Sequence, residues 1–427
     1  MKNVILALAV LVCVLLNFMP AIASDYTLNI FGNANMDEDI DEMDIAYVEG
    51  VIRGTNAATN LSDANYDGKI DNQDIAQIKD IISGTEKALT IVDSADRVVT
   101  VKKPVKRIVA TFRHAVEKMR LIGVDESQVV GVESIVQNGS SYGVNYKSFF
   151  PEYQDKPTVG VVWTPDVETI LGLKPDVVFL LATTSSMGKS LPKVQEVLES
   201  AGISVIRIYA NVYEENIQEE AKMLGYIFDK EDKADDFIDW YDNIIDSIND
   251  TLIDLPDRDK PTVYFETGNK WNSGDESSTA RVGNAGGKNI FPDTSGSMNP
   301  EAIMAQNPDF IIKGVSGVGS GGYDLDTGNT TGLMEIRDEI MSRPELQTVK
   351  AVKEGHVYVI SGYILSYGPP SGGRGFLQIV YMAKWLHPDL FKDLDPQEIH
   401  QEYLTRFQGL DFDLDKKGVF VYPLQEV

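Results

Sequence analysis

Oxygen-bearing side chains recur at regular places in the segment DANYDGKIDNQD, residues 63–74. Asp or Asn stands at its first, third, fifth, ninth and twelfth places, and Gly68 stands at the sixth. Calcium takes six to eight oxygen ligands, and such a loop supplies them from short side chains and from the backbone carbonyl at the seventh place. The spacing therefore predicts a calcium site formed by Asp63, Asn65, Asp67, Lys69, Asp71 and Asp74.

A second segment, NANMDEDIDEMD at residues 33–44, repeats this pattern upstream. It predicts a second calcium site formed by Asn33, Asn35, Asp37, Asp39, Asp41 and Asp44. Glu38 stands where the other loop has Gly68, so the sharp turn is less favourable and the downstream loop is the closer match. A helical stretch ending in glycine follows each loop, which predicts a small all-α domain at residues 25–86.

Two loop–helix repeats with Asp at the twelfth place resemble a type I dockerin module over residues 29–84. The resemblance implies that the module folds on binding calcium and docks into a cohesin domain on a scaffold. Dockerins usually carry partner specificity at the tenth and eleventh places, which read Glu42-Met43 in one repeat and Asn72-Gln73 in the other. This difference weakens the case for two equivalent binding faces. The alternative interpretation is a calcium-stabilised spacer without a cohesin partner.

A further group of candidate residues combines aromatic rings with positive charges. Rings stack on a bulky planar ligand, and guanidinium groups pair with its carboxylates. We expect such residues on the loops that follow the strands of an α/β fold, because ligands bind there. The candidates are Arg113, His114, Trp163, Lys189, Tyr209, Trp271, Arg281, Tyr323, Tyr363, Tyr367 and Arg374. They predict a site for an anionic metal chelate, although any single aromatic residue belongs more often to a core than to a site.

The elements that would position these residues alternate between strands and helices. Strand-like runs such as VVGV and DVVFLLA alternate with helical stretches such as HAVEKMRLIG and LPKVQEVLESAG. The alternation restarts at TVYFE, continues through FIIKG and HVYVI, and ends with helices near residues 375–387 and 396–407. This order is typical of mainly parallel sheets covered by helices. It predicts an α/β domain at residues 89–427.

One long amphipathic helix separates the two α/β runs. Its apolar residues recur at spacings of three, four and seven, as Phe237, Trp240, Tyr241, Ile244, Ile245, Ile248 and Leu252. Pro256 and Pro261 close the segment, which predicts a helix of nearly thirty residues at about 229–256. The helix would join an N-terminal lobe at about 89–228 to a C-terminal lobe at about 257–427.

Two α/β lobes joined by one long helix resemble the class III substrate-binding proteins of ABC importers, which serve ferric siderophores, haem and vitamin B12. The segments that carry the resemblance include PVKRIVAT, TPDVETILGLKPDVVFL and MNPEAIMAQNPDFIIKG. The resemblance implies two lobes that hinge little around a cleft. It also matches Glu168 and Glu301 to surface glutamates that dock onto arginines of the membrane permease. The alternative is that each glutamate only stabilises the first turn of a helix.

No catalytic signature competes with a binding function. The segment TTSSMGKS ends like a phosphate-binding loop, but Thr183 occupies the place of its first glycine. His114 and Glu117 have the spacing of metal ligands on a helix, but four histidines and no second such pair leave the site incomplete. We therefore predict that the chain is not an enzyme. A metal chelatase of similar fold, with His114 as acid–base or metal ligand, is the remaining enzymatic alternative.

The first residues predict export. The pattern is that of a signal peptide at residues 1–23: Lys2, an apolar run, and Ala21-Ile22-Ala23 before Ser24. An uncleaved membrane anchor is the alternative. The only cysteine, Cys13, lies within it, so we expect neither a disulfide nor a lipid-anchor cysteine in the mature chain. A net charge of −27 argues against binding to nucleic acid. The expected location is secreted: extracellular, at the cell surface or periplasmic.

These features together predict the substrate-binding component of an ABC importer for an iron–siderophore, haem or corrinoid chelate. The calcium-binding module would tether it to a cell surface in place of a lipid anchor. The expected partners are the permease, the chelate and a cohesin domain. A scaffold-bound adhesion or carbohydrate-binding component is the competing class, for which we would expect the short alternating strands of a β-sandwich.

Overall fold

A computed structural model describes residues 26–138, 140–141, 144–210, 217–315, 328–361, 364 and 374–423. The chain divides into two compact units, one ending at Thr85 and the other beginning at Glu86. The predicted signal peptide and the candidates Tyr323, Tyr363 and Tyr367 lie outside the described residues. Within the described ranges, no helix has both the length and the apolar character needed to cross a membrane.

The first unit consists of two loop–helix repeats with the helices α1 (Glu42–Arg53) and α2 (Asn72–Ile82). Asp41 and Asp71 cap these helices, and each forms a capping box with the aspartate three residues later. Reciprocal caps of this kind fix the residue at which a helix begins. The apolar residues buried in this unit include Leu28, Ile30, Ala34, Val48, Leu61, Ala64, Ile78 and Ile81.

The N-terminal lobe of the second unit is an α/β layer structure. Its strands are β1 (Ala88–Val92), β2 (Val98–Lys102), β3 (Ile108–Ala110), β4 (Val129–Val132), β5 (Ser140–Ser141), β6 (Val144–Asn145), β7 (Gly160–Val161), β8 (Thr164–Pro165), β9 (Val177–Ala182) and β10 (Ser204–Tyr209). Its helices are α3 (Arg113–Leu121), α4 (Ser134–Asn138), α5 (Tyr146–Phe149), α6 (Val167–Leu173), α7 (Leu191–Ser200) and α8 (Ile217–Phe228).

Strands β10, β9, β3 and β4 form a parallel sheet in that order. All residues of β9 are buried, as expected for a central strand that is covered on both faces. The other strands of this lobe form the antiparallel pairs β1–β2, β5–β6 and β7–β8. The parallel sheet directs the ends of β3, β4, β9 and β10 to one edge of the lobe.

The long helix α9 (Glu231–Leu252) follows this lobe and packs against α8. It has 22 residues rather than the nearly thirty predicted, because it ends shortly before Pro256. A proline disfavours the helical conformation in the residue before it, so helices usually end upstream. Phe237 and Tyr241 are buried within the predicted apolar stripe, while Ile253 just beyond the helix is 77% exposed.

The C-terminal lobe contains a second, mixed sheet. Its strands are β11 (Thr262–Thr267), β12 (Asn272–Ser273), β13 (Lys288–Asn289), β14 (Gly296–Ser297), β15 (Phe310–Val315), β16 (Val357–Ser361) and β17 (Val421–Tyr422). Its helices are α10 (Glu276–Asn284), α11 (Pro300–Gln306), α12 (Thr331–Met341), α13 (Lys350–Glu354), α14 (Leu377–Leu386) and α15 (Pro396–Glu402).

Strands β11, β15 and β16 form the parallel centre of this sheet, and β13 pairs parallel to β11. Strands β12, β14 and β17 add antiparallel pairs at its margins. A π-helical turn, Tyr403–Phe407, continues directly from α15. The prediction of two α/β lobes with mainly parallel sheets is therefore confirmed.

Candidate functional site

The N-terminal lobe presents its candidate ligand residues at the edge where its parallel strands end. Arg113 and His114 open helix α3 shortly after β3, and Tyr209 is the last residue of β10. Trp163 lies in the turn between β7 and β8, and Lys189 lies in a short 3-10 segment after β9. These positions match the expectation that ligands of α/β folds meet the carboxyl-terminal ends of strands.

Arg113 is buried, and among the described residues its ionic contact with Glu133 is a long one. One guanidinium nitrogen lies 3.9 Å from a carboxylate oxygen of Glu133, and the guanidinium carbon lies 5.1 Å from the ring centroid of Tyr146. The buried Nε makes no hydrogen bond to any residue that the structure describes. A guanidinium group with unused N–H donors can receive a negatively charged oxygen of a ligand.

His114 lies beside Arg113 and is also buried. Burial lowers the pKa of His114 well below its usual value, and the positive charges of Arg113 and Arg374 lower it further. The imidazole is therefore neutral near neutral pH. It can offer a ligand one N–H or one lone pair, but not a positive charge.

Arg374 reaches this region from the C-terminal lobe. Its guanidinium group forms a buried ion pair with Glu117 of helix α3, and the hydroxyl of Tyr403 donates to the other Glu117 oxygen at 2.7 Å. Glu117 and Tyr403 are fully buried. The cluster joins the two lobes beside His114. Because Arg374 and Tyr403 already bind the Glu117 carboxylate, Glu117 is not available to share a metal ion with His114.

Trp163 is held through its backbone. Its carbonyl accepts a hydrogen bond from Oγ of Ser190 at 2.6 Å, and the N–H of the preceding Val162 donates to Glu133 at 3.2 Å. Lys189 is exposed, and so is Tyr209, at 41%. Arg113, Lys189 and Tyr209 therefore lie at or beyond the carboxyl-terminal ends of strands in one parallel sheet, and Trp163 lies in the turn of the β7–β8 hairpin.

Glu133 is a candidate functional residue that the sequence analysis missed. It directly follows β4 and is buried, and it accepts backbone hydrogen bonds from Arg113 at 2.9 Å and from Val162 at 3.2 Å. Burial raises the pKa of its carboxyl group, although the charge of Arg113 opposes this. The available signal was an acidic residue placed directly after a buried strand, in VVGVES.

Trp271 occupies the corresponding place in the C-terminal lobe, on the loop after β11. Its φ of 66° lies in the left-handed region, which a bulky side chain rarely adopts. Its N–H donates to Glu266 at 2.8 Å, and its carbonyl accepts from the N–H of Met298 at 2.7 Å. The guanidinium carbon of Arg343 lies 4.5 Å from its ring centroid.

Glu266, which the sequence analysis also missed, is the centre of a buried ionic network. Arg343 donates to both of its oxygens at 2.7 and 2.9 Å, and Lys313 lies at 2.8 Å. Burial alone would raise the pKa of Glu266, but hydrogen bonds from Arg343 and the charge of Lys313 bring it below the usual value. The sequence did contain a signal for this network, because each of two apolar strands, TVYFE and FIIKG, includes one charged residue. The two strands are neighbours in the sheet, and Glu266 lies opposite Lys313.

Arg281 is placed differently from the other candidates. It lies in the last turn of α10, not on a loop after a strand of the parallel sheet, and it is buried. The described candidates therefore divide into a group at the N-terminal edge, joined by Arg374, and Trp271 with its ionic network in the C-terminal lobe.

The two candidate docking glutamates have closely similar surroundings. Glu168 is the second residue of α6 and Glu301 is the second residue of α11, and both are exposed. Asp166 and Asn299 cap the two helices through their side chains. Each lobe therefore presents one carboxylate at the first turn of a seven-residue helix.

The two loops of the first unit share one hydrogen-bonding pattern. The twelfth residue, Asp44 or Asp74, accepts from the backbone of the third residue, at 3.0 Å from Asn35 and 3.1 Å from Asn65. The same carboxylate also accepts from the backbone of the ninth residue at 2.9 and 2.8 Å. These bonds curl each loop around its own oxygen-bearing side chains.

The chemistry of these loops fits a cation. Burial raises the pKa of Asp44 to about 6, and burial also raises the pKa of Asp74, with a further contribution from the charges of Asp63 and Asp67. A cation would relieve this cost of holding carboxylates together. Among the described residues, no three His, Cys, Asp or Glu side chains are gathered as a metal site. Calcium loops also use amide and backbone oxygens.

Two α/β lobes with ligand candidates at their sheet edges form the architecture of a solute-binding protein. The profile of the periplasmic binding protein family matches residues 108–363, more than half of the 427 residues. The chain therefore belongs to this family: it is the substrate-binding component of an ABC importer, and it is not an enzyme.

Three curated relatives resemble the chain. It is 24% identical over 311 residues (71% of this chain, 87% of the relative) to the uncharacterized ABC transporter substrate-binding lipoprotein YvrC of Bacillus subtilis. It is 21% identical over 342 residues (76% and 92%) to the molybdate-binding protein MolA of Haemophilus influenzae. It is 25% identical over 223 residues (49% and 65%) to the petrobactin-binding protein YclQ of Bacillus subtilis.

A solved structure shares the fold. The TroA-like periplasmic binding protein FepB from Veillonella parvula superposes with a TM-score of 0.63 at 24% sequence identity. The match covers 79% of this chain and 99% of FepB. It supports the two-lobed α/β architecture described above.

Proposed function

We propose that this substrate-binding protein captures an iron–siderophore, haem or corrinoid chelate and delivers it to an ABC permease. The observation that carries the proposal is the buried guanidinium of Arg113 at the edge where the strands of the N-terminal lobe end. Its Nε makes no hydrogen bond to any described residue, and the nearest carboxylate oxygen described lies 3.9 Å away. A neutral His114 and a half-buried Trp163 accompany it. This set offers charge, hydrogen bonding and a flat ring to one ligand.

Two of the relatives bind different ligands, petrobactin for YclQ and molybdate for MolA. A small inorganic oxyanion is therefore a second candidate ligand, and the buried Arg113 would suit it. The chelate is favoured because Trp163 and Tyr209 share the edge with Arg113, and aromatic rings gain most from stacking on an extended ligand.

The ligand proposal is tested by titrating the full chain with ferric siderophores, haemin, cyanocobalamin and molybdate while tryptophan fluorescence is recorded. We expect saturable quenching by one chelate class. The variants Trp163→Phe and Trp271→Phe should reduce the quenching. The matched control is Trp385→Phe, because Trp385 is buried and stacked on Tyr358 at 4.5 Å. Saturable binding of molybdate alone would replace the chelate by the oxyanion, and binding of no probe would contradict both.

Delivery to the permease would use Glu168 and Glu301. One exposed carboxylate on each lobe gives the permease two separated contacts, and paired charges of this kind guide encounter and orientation. A glutamate in the first turn also interacts favourably with the helix dipole, so the stability effect must be separated from the docking effect.

The docking proposal is tested with Glu168→Ala, Glu301→Ala and the double variant in a transporter reconstituted into vesicles. We expect the binding-protein concentration that half-maximally stimulates ATP hydrolysis to rise about tenfold for each single variant, which corresponds to roughly 1.4 kcal/mol. Glu398→Ala is the matched control, because Glu398 is an exposed first-turn acid of α15 behind the capping residue Asp395. Equal effects of all three single variants would contradict docking.

The first unit would bind calcium and act as a dockerin-like tether that holds the secreted protein at a cohesin-bearing surface. Support comes from the shared loop pattern, the buried Asp44 and Asp74, and the fit of the loops to a cation. A calcium-stabilised spacer remains the alternative to a cohesin partner. In that case the loops would bind calcium without recruiting a scaffold.

Calorimetric titration of the full chain with calcium tests the first part of this proposal. We expect two sites, with Asp63→Ala abolishing the tighter one and Asn33→Ala affecting the other. Lys69→Ala is the control, since the seventh place contributes a backbone carbonyl that the substitution retains. The absence of calcium binding would contradict the tether, whereas binding without capture by a panel of cohesins would favour the spacer.

A further inference from the structure

Each lobe holds its tryptophan loop and its glutamate-bearing helix in one continuous set of contacts. In the C-terminal lobe, Trp271 donates its N–H to the buried Glu266 at 2.8 Å. The carbonyl of Trp271 accepts from Met298 at 2.7 Å, and the next residue, Asn299, caps α11. Glu301 lies two residues beyond this cap, so Glu266 is connected to the docking helix through two hydrogen bonds.

The strand pairs add to this connection. Strand β12, directly after Trp271, pairs antiparallel with β14, directly before Met298. The loop before Trp271 is held as well, because Lys313 donates to the carbonyl of Gly268 at 2.7 Å while also contacting Glu266 at 2.8 Å. The left-handed backbone of Trp271 is thus fixed from several sides, as a strained residue requires.

The N-terminal lobe repeats the arrangement with other residues. Glu133 accepts from Val162 at 3.2 Å, and Trp163 follows in the turn between β7 and β8. The hairpin leads directly to Asp166, whose N–H donates to the carbonyl of Val159 at 2.9 Å and whose side chain caps α6. Glu168 lies two residues beyond this cap.

We propose that Glu133 and Glu266 are positioning residues, each of which fastens a tryptophan-bearing loop to the start of the helix that carries a docking glutamate. The arrangement makes the ligand-side loop and the permease-side carboxylate of each lobe one rigid body. The effect on permease docking rests on the proposed function, whereas the hydrogen-bonded connection between loop and helix does not.

Hydrogen–deuterium exchange of the full-length protein measures the connection directly. In Glu266→Gln we expect exchange to rise at least tenfold in peptides that cover residues 268–273 and 296–303, with little change in the N-terminal lobe. In Glu133→Gln the rise should appear in residues 160–169. Glu86→Gln is the matched control, because Glu86 is equally buried and pairs with Lys103 at 2.9 Å away from both loops.

A merely structural role would lower overall stability and speed exchange throughout the lobe, so a uniform rise, or no local rise, overturns the proposal. Should Glu266→Gln fail to fold, Glu133→Gln keeps the proposal falsifiable in the other lobe. Its effect should appear in residues 160–169 alone, and its absence there would overturn the connection through Glu133.

Transporter stimulation separates this proposal from the docking proposal. At saturating ligand, Glu266→Gln should raise the half-maximal binding-protein concentration about fivefold without lowering maximal ATP hydrolysis. If Glu301→Ala raises the half-maximal concentration but Glu266→Gln leaves it at the wild-type value, the link between Glu266 and docking is overturned. An unchanged response in Glu301→Ala itself shows that the docking proposal has failed, and the exchange data then decide the positioning role alone.

Discussion

Buried histidines make the stability of this protein sensitive to acid. His114, His387 and His400 are all buried, and burial lowers the pKa of each. For His400 the pKa falls to about 3. Below a pH of about 6.5 an unfolded histidine binds a proton that the folded one does not, so acidification favours unfolding.

The free energy of unfolding should fall as the pH drops below about 6.5, by up to roughly 1.4 kcal/mol per pH unit for His400 until its folded pKa is reached. Urea denaturation at pH 7, 6 and 5 measures this slope. In His400→Gln the slope should be shallower by that amount, because the substituted side chain does not titrate. Identical slopes in the two proteins would contradict the assignment.

The ion pair between Glu117 and Arg374 should be costly to break from one side. Arg374→Met leaves Glu117 buried without its cation, and we expect a loss of about 3–5 kcal/mol in the free energy of unfolding. Adding Glu117→Gln should restore part of that loss. The control is Lys193→Met, since the exposed Lys193–Glu196 pair should contribute less than about 1 kcal/mol. Additive effects of the two buried substitutions would contradict the pairing.

At the scale of single residues, sequence patterns predicted Arg113, His114 and Trp163 at the sheet edge because position after a strand is a local property. They did not predict Glu133, Glu266 or the partner of Arg374. Those roles depend on contacts between residues far apart in the chain, such as Glu117 with Arg374, which no local spacing encodes.

Helix α9 joins the lobes through aromatic contacts. The ring centroid of Phe237 lies 5.3 Å from that of Phe407, and Trp240 and Tyr241 lie 5.6 and 5.3 Å from Phe376. The helix packs against α8 on its N-terminal side. It therefore supports both lobes at once, and its stripe was readable in the sequence because it follows the helical period.

Truncation within this stripe should destabilise the protein strongly. Phe237→Ala removes a fully buried ring, for which we expect a loss of about 3–5 kcal/mol in the free energy of unfolding. The matched control is Asp239→Ala on the exposed side of the same helix, expected to stay within about 0.5 kcal/mol. Chemical denaturation measures both variants, and similar values would show that the stripe does not hold the lobes.

The length of α9 shows the limit of prediction at the scale of elements. The apolar period continues to Leu252, and the helix ends there, but the three residues between Leu252 and Pro256 were counted as helical. The residue at which a helix ends depends on its caps and on the position of a following proline. These features move the end of the helix without changing the spacing of its apolar residues.

At the scale of the whole molecule, the chain divides into two compact units. A compact domain can in principle fold and unfold on its own. Differential scanning calorimetry of the full chain should therefore show two transitions. We expect a calcium chelator to lower the midpoint of one transition and to leave the other unchanged, whereas a single transition that shifts as a whole would contradict independence.

The fold of the larger unit was predictable because several motifs occur in a fixed order. Each motif is weak evidence alone, but together they indicate one fold. The first unit was predictable as two loop–helix repeats for the same reason. What the sequence left open is the ligand, since the candidate ligand residues lie in both lobes and include Arg374, whose neighbours only the folded chain defines.

The buried contact of Glu117 with Arg374 and Tyr403 also affects competition among copies of the protein. Because the contact would have to break for the lobes to separate, we expect the two lobes to keep nearly the same arrangement in the empty and the loaded protein. If Glu168 and Glu301 dock as proposed, the permease then meets both forms with the same pair of carboxylates, and the empty form occupies it unproductively. An excess of empty protein should slow import, and secretion of more binding protein than the available ligand can fill becomes a disadvantage to the cell.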